Sequence, residues 1–509
     1  MSSRRQLLAQ AAALAGLALT PGGWSPALAQ TRMADSPFGL GVASGEPLPD
    51  GVVLWTRLAP RPMEPGAGMG RAPFEVRWEI AADPNLKRIV ARGRKLATAA
   101  AGHSVHLEVG GLRPDREHWD RFMAAGYASP IGRTRTAPAF GAPVQRLKLA
   151  YSSCQKYSAG FYSAHAGIAA ETPDLVLFLG DYIYEQADNG KGVRSHPATE
   201  PTDLAGYRDR YAWYKSDPNL QAAHAAAPWM VTWDDHEVAN DYGADQDRTN
   251  PDPVVFLKRR AAAYQVFYEN MPLRRTQLPV GPDMLLYRSL RWGALANLQF
   301  LDTRQYRNRR TCEAVSQEKR IPRDCPERFD PARSLLGARQ EAWLQNQFRT
   351  TRTPWNLLAQ QYLMGEFVGE TGRVGNDGWD GYVATRQRVM QGWRDHRVAN
   401  PVVLGGDIHC FFAGDVAPEP GAKPIATEFV GGSISSLGRP NFEIVKRQAG
   451  NPHLKFADGQ TRGYGLLEIT PRSCEVTFRG VGDALVPASP IRDLARFVVE
   501  DGVAGVHRV

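Results

Sequence analysis

Residues 175–185, LVLFLGDYIYE, place the tightest limit on what this chain can fold into. An unbroken apolar run closed by Gly180 reads as a strand covered on both faces, the kind found inside α/β layers. In such folds ligands collect just beyond the carboxyl ends of the strands. Asp181 stands at that end, followed by Tyr182, Tyr184 and Glu185. One strand-end aspartate is a weak signal, so the weight falls on what other segments bring to the same place.

Four further segments repeat the pattern. Residues 147–151 lead into Ser152, Ser153, Cys154 and Gln155; residues 229–233 lead into Asp234, Asp235, His236 and Glu237. Residues 296–301 lead into Asp302, and residues 402–404 lead through two glycines into Asp407, Ile408 and His409. Helical stretches alternate with these strands, as in an α/β layer domain. Asp252 followed by Pro253 gives an N-cap and first-turn proline for a helix over residues 254–268, and a second helix is expected over 338–348.

Ahead of this region the periodicity is different. Between Phe38 and Phe140 short alternating segments (52–55, 74–80, 105–109) are separated by turn signals such as Pro49-Asp50-Gly51. This spacing predicts a small antiparallel β-sandwich over residues 36–142, followed by the α/β domain over 144–509. A chain of 509 residues is long enough for two such bodies.

Residues 1–29 stand apart. Arg4 and Arg5 precede an Ala/Leu-rich stretch over 7–19, and Ala27-Leu28-Ala29 offers small residues for cleavage. The stretch is too short to span a bilayer as a helix. It reads as a cleaved twin-arginine export signal, which names the twin-arginine machinery as a partner and a periplasmic or secreted destination, with the protein folded and loaded with its cofactor before crossing. Removing the leader takes two arginines and no acid from a formal charge of +8, leaving +6. That modest excess is spread along the chain and gives no case for a nucleic-acid partner.

Five cysteines in an exported chain leave at least one unpaired. Cys312 and Cys325, in a polar stretch punctuated by proline, are expected to close a surface loop. Cys410 and Cys474 lie beside apolar segments and read as buried thiols. Cys154, at a strand end, is either an inert buried thiol or a ligand.

Carboxylates, imidazoles and a thiol gathered at one sheet edge would suit a pair of cations, and paired cations suit hydrolysis of an anionic phosphate ester. The bland alternatives are that Asp181, Asp235 and His236 cap following segments, and that Asp407 and His409 merely flank a glycine turn. Four motifs bear on the choice: GDYIYE at 180–185, TWDDHEVANDYG at 232–243, FLDTRQYR at 300–307 and GGDIH at 405–409. They resemble those of the alkaline phosphatase D (PhoD-type) family of metallophosphoesterases, and residues 38–58 are similar to that family's N-terminal β-domain.

The resemblance implies an exported phosphatase with Fe³⁺ and Ca²⁺. It implies Cys154, Asp181 and Tyr184 as iron ligands with Asp181 bridging to calcium, and Asp235, Asn240, Asp407 and His409 as further metal ligands. His236 is then the acid that protonates the leaving oxygen, a hydroxide held by the cations attacks phosphorus, and Arg304 or a neighbouring basic residue helps hold the phosphate. Thiolate and phenolate suit trivalent iron, and oxygen-only donors suit calcium. Residues 304–310 also read as a plain solvated basic face. Rival readings are a phosphodiesterase or phospholipase-like esterase on the same site, and an exported binding protein that has lost catalysis.

Overall fold

The computed structural model describes residues 33–197, 199–247, 252–312, 319–419 and 421–509; the leader read at 1–29 lies outside them. The apolar run forms the strand Leu175–Leu179, buried at every position. Leu147–Ser152 and Pro228–Thr232 flank it, both parallel to it. A ten-stranded sheet grows from this parallel centre. On one side lie Arg462–Ile469, Ser473–Val481, Ile491–Glu500 and His507–Arg508, paired antiparallel. On the other lie Val42–Leu48, Gly51–Arg57 and Ser104–Val109.

A second, seven-stranded sheet contains Ala296–Phe300, Trp355–Ala359, Pro401–Gly405 and Ala426–Gly431 in parallel, with antiparallel strands at both margins. The two sheets pack face to face. Leu175, Leu177 and Leu179 meet the layer of Leu298, Phe300, Leu357, Val402 and Leu404. The alternate residues Val176 and Phe178 point the other way, into a core shared with the helices Ser163–Glu171, Pro218–Ala226 and Pro253–Asn270. Helices Gly337–Thr350 and Val383–Asp395 cover the outer face of the second sheet. The order is therefore helix, sheet, sheet, helix, and strands covered on both faces must be apolar throughout. Each fully buried Leu or Phe contributes roughly 1.5–3 kcal/mol.

The expected helices are present, and Asp252 caps the first by accepting from Val254 N at 2.8 Å. Cys312 and Cys325 are joined, with Cα atoms 6.7 Å apart. Cys410 and Cys474 are buried free thiols, Cys410 packed among Phe367, Phe412 and Val430. Among the described residues no helix is long and apolar enough to cross a membrane.

The N-terminal sandwich forms, and it is fused to the rest. Its outer sheet is made of Phe74–Ala81, Ile89–Ala97, Glu117–Ala124 and two short strands. Val76, Ile80 and Phe122 of that sheet pack on Val52, Leu54, Val105 and Leu107. The latter residues belong to the margin of the ten-stranded sheet, where Ser44 and Gly45 pair with Pro228 and Trp229. Trp55 Nε1 also donates to Glu269 O at 2.9 Å. A chain beginning at residue 144 would leave Pro228–Thr232 as a bare apolar edge, which pairs with other chains. Size-exclusion chromatography is expected to show that truncation aggregating, whereas a soluble monomer would mean that the α/β body stands alone.

Candidate metal centre

Five strand ends converge where the two sheets meet. The sequence reading places them at one sheet edge; the structure corrects this, because Leu147–Ser152, Leu175–Leu179 and Pro228–Thr232 come from one sheet while Ala296–Phe300 and Pro401–Gly405 come from the other. The turns that follow are strained. Cys154, Asp181, Asp407 and His409 have φ of 59°, 57°, 58° and 56°. The left-handed region costs a residue with a side chain roughly 1–2 kcal/mol, and such residues cluster at functional sites. No helix follows Asp181 directly, which removes the capping alternative for it.

Two glycines let the turns close on one another. A Cβ on Gly180 would lie 2.5 Å from Asp234 Cβ, and one on Gly406 would lie 2.3 Å from Ser153 Oγ. Either would push one strand end away from the next.

Three overlapping groups of potential ligands result: Cys154, Asp181 and His409; Asp181, Asp235 and His236; Asp234, Asp235 and Asp407. Within each group the ligand atoms all lie within 4.8 Å of one another. Tyr184 joins the first group, its hydroxyl donating to Asp181 Oδ2 at 2.8 Å and lying 3.0 Å from His409 Nε2. Ser436 Oγ donates to the same hydroxyl at 2.8 Å, and His409 Nδ1 lies 2.8 Å from Leu437 O. That contact fixes the His409 ring with Nε2 facing the centre, as ligating histidines require. Asn240 reaches the rim through its backbone, N–H to Glu185 Oε1 at 2.7 Å.

Burial dominates the electrostatics. It pushes Asp181 well above the ordinary carboxylate range, with Asp235 and Asp234 adding to the rise against the pull of His236. It does the same to Asp407, again with Asp234 and Asp235 adding. Burial raises the Cys154 thiol and the Tyr184 phenol and lowers His409 to about 4. Asp235 behaves otherwise: despite burial, Arg304 and His236 hold it low. His236 is raised against burial by Glu185, Asp235 and Asp181. Asp181 Oδ1 and Asp234 Oδ2 are buried without a hydrogen-bond donor. Carboxylates packed this closely ionise together only when a cation shares the space, so the donor set fits metal ions.

Arg304 is sealed beside the acid cluster and reaches no solvent. Its guanidinium is fully buried, donates to Asp234 Oδ1, and pairs with Asp235 at 3.3 Å and Asp377 at 2.8 Å. Arg307 pairs with the other oxygen of Asp377 at 2.8 Å, and Arg310 is also buried. The solvated basic face read over 304–310 is thereby overturned, since these side chains neutralise acids inside the protein.

Sequence reasoning missed four residues. Asp234 escaped although it stands beside Asp235 at a strand end. Glu185 had no assigned role; its carboxylate lies 2.7 Å from His236 Nδ1 and orients that ring. Glu237 is a buried clamp, accepting from Asp181 N at 3.2 Å, Tyr182 N at 2.6 Å and Asp234 N at 2.9 Å, which locks two strand ends together. Asp377 sits in a loop, and nothing local in the sequence marks it. Tyr182, the other residue left unassigned, turns into the core, its hydroxyl 2.7 Å from His224 Nε2.

A helix, sheet, sheet, helix sandwich with a buried multi-carboxylate centre at its converging strand ends is an arrangement suited to metal-assisted hydrolysis. The profile of the PhoD-like phosphatases matches residues 149–478, and that of their N-terminal domain matches residues 23–138. Alkaline phosphatase D of Bacillus subtilis (strain 168) is 40% identical over 527 residues, covering 99% of this chain and 89% of that protein. A solved structure described as "Structure of PhoD" superposes with a TM-score of 0.89 at 41% identity, covering 94% of this chain and 93% of its own. The chain belongs to the PhoD-like phosphatase family and is a phosphoric ester hydrolase.

Replacing Glu237 by Ala would strand three buried N–H groups, at about 1–3 kcal/mol each. Glu237→Ala is expected to lower the melting temperature markedly and to reduce the metal content of the purified protein. Thermal melts and elemental analysis at wild-type values would show that the clamp is dispensable.

Proposed function

We propose that this chain is an exported alkaline phosphatase whose centre holds Fe³⁺ and Ca²⁺, with the periplasm or the cell exterior as its place of work. The observation that carries the reading is the Tyr184 hydroxyl seated between Asp181 and His409, with the Cys154 thiol in the same group. Cys154, Asp181, Tyr184 and His409 form a mixed sulfur, oxygen and nitrogen set suited to Fe³⁺. Asp235, Asp407 and the side-chain oxygen of Asn240 would supply oxygen donors suited to Ca²⁺, with Asp181 in reach of both sets. Asp234 extends the oxygen set. When bound, the cations activate water and neutralise charge at phosphorus.

The remaining work falls to the chain's own groups. His236, held by Glu185, is placed to give a proton to the departing oxygen, and the carboxylates around it keep its ring charged. Arg304 positions Asp234 and Asp235 and leaves phosphate holding to a cation at the mouth. Lys156 supplies one: its ammonium lies 5.5 Å from the centre of the Tyr184 ring and is half-buried. The twin-arginine leader read at residues 1–29 is the route of export in this reading.

Two experiments test it. A phenolate on Fe³⁺ gives a visible charge-transfer band, so wild-type protein purified with iron is expected to be coloured, Tyr184→Phe to lose the band, and Cys154→Ser to lose iron and activity. An iron-loaded but colourless wild type, or unchanged metal content in Cys154→Ser, would remove those residues from the centre. For His236, the measure is leaving-group dependence. His236→Asn should slow alkyl phosphate hydrolysis by 10²-fold or more while p-nitrophenyl phosphate, whose leaving group needs no proton, falls far less. Equal loss on both substrates would remove the acid role.

A further inference from the structure

Arg304, Arg307, Arg259 and Arg328 are buried arginines that meet carboxylates. Arg210, in the helix Leu204–Lys215, is also buried and has different partners. Every hydrogen bond that its guanidinium makes to the described residues ends on a backbone carbonyl. Nη1 donates to Tyr184 O and, at 3.0 Å, to Gln186 O; Nη2 donates to Thr199 O at 2.8 Å and Pro197 O at 3.4 Å. Burial lowers the guanidinium below its ordinary pKa, against the pull of Tyr214 and Glu185, so this is a costly place for a charge.

The two carbonyls on Nη1 bracket residue 185. Residues 181–186 form neither helix nor strand, so buried backbone groups there need side-chain partners. Tyr184 has both of its own supplied by one helix: its N–H donates to Tyr214 Oη at 3.0 Å, and its carbonyl accepts from Arg210. Tyr207, Arg210 and Tyr214 are spaced i, i+3, i+7 and lie on one helix face. Tyr207 grips the second turn of the centre. Its hydroxyl donates to Val238 O at 2.5 Å and accepts from Arg259 Nε at 2.9 Å.

Between these two turns stands His236. Glu185 Oε2 lies 2.7 Å from His236 Nδ1, and Oε1 accepts from Asn240 N at 2.7 Å. The Tyr184 ring stacks on the imidazole, with ring centres 4.1 Å apart. One edge and one face of the imidazole are therefore set by two consecutive residues, and Arg210 and Tyr214 hold the backbone of that pair. A guanidinium carries its donors in a rigid planar fork, which fixes the carbonyls on either side of Glu185 relative to the helix. A displacement of roughly 1 Å at a reacting group can cost about 10²-fold in rate.

We propose, resting on the reading of His236 as the acid, that Arg210 is a positioning residue for proton transfer. By fixing the peptides on either side of Glu185 it aims the His236 ring at the departing oxygen, without itself touching substrate.

The measure is the ratio of kcat on ethyl phosphate to kcat on p-nitrophenyl phosphate, which does not depend on how much of a preparation is folded or loaded with metal. Arg210→Gln is expected to lower that ratio about tenfold. Tyr214→Phe, which keeps the buried ring and removes only the hydroxyl, should lower it about threefold. A residue that merely stabilised the loop would lower the melting temperature and both rates together. An unchanged ratio in Arg210→Gln, or in Tyr214→Phe if Arg210→Gln does not fold, overturns the proposal. Adding Arg210→Gln to His236→Asn should lower the ratio no further, because the effect ends at that ring; a further fall overturns the path through His236. If His236→Asn leaves the ratio at its wild-type value, the acid reading fails and this proposal with it. A low ratio in His236→Asn beside a normal one in Arg210→Gln overturns the positioning role alone.

Discussion

The structure depends on one constraint: acidic side chains from two sheets are forced into a space that excludes water. Asp181, Asp234, Asp235 and Asp407 are too close and too buried to ionise side by side without compensation. The protein supplies part of that compensation itself. Arg304 faces two of the acids and is in turn balanced by Asp377, which Arg307 also holds. Backbone N–H groups of the strand ends occupy Glu237, a fifth buried acid nearby. What remains uncompensated, at Asp181 Oδ1 and Asp234 Oδ2, is the part left for a cation.

The surrounding fold keeps this arrangement stiff. Strand ends can be aimed at a common point only if the strands cannot slide, and the interleaved leucine, valine and phenylalanine faces between the sheets prevent sliding. The helical layers on both outer faces complete the burial. The left-handed turns at Cys154, Asp181, Asp407 and His409 then spend some of that stability to rotate side chains off the alternating pattern and into the seam. The N-terminal strands take part as well, by closing the edge that Pro228–Thr232 would otherwise expose.

Much of this was legible in the sequence, for a physical reason. Strands buried on both faces leave continuous apolar runs, and a polar residue directly after such a run is conspicuous, so Cys154, Asp181, Asp235, Asp407 and His409 stood out. The pairing of Cys312 with Cys325 followed from a short polar loop. Two things were not legible. Which strands share a sheet is decided by long-range pairing, so two converging sheets read as one edge. Residues that act through others also stayed hidden: Glu237 looks like part of a motif, Asp377 like part of a loop, and Arg304 like a surface cation until its three carboxylate partners are seen. The sandwich followed from its turn spacing, but its fusion to the central sheet did not, because a parallel pairing such as that of Ser44 with Pro228 has no local signature.

The hydrogen bond between Tyr184 and His409 spans 225 residues of chain, and the one between Tyr184 and Ser436 spans 252. Contacts of such sequence separation form late, because a long loop must close before they gain anything. The first turn to reach the centre, at Cys154, also leans on Gly463 through the neighbouring Ser152, at a separation of 311 residues. A ribosome must therefore release most of this chain before the centre can exist. Once seated, a cation stitches together segments made at very different times, so its binding energy acts as a final lock on an order of assembly that runs from sheets to seam.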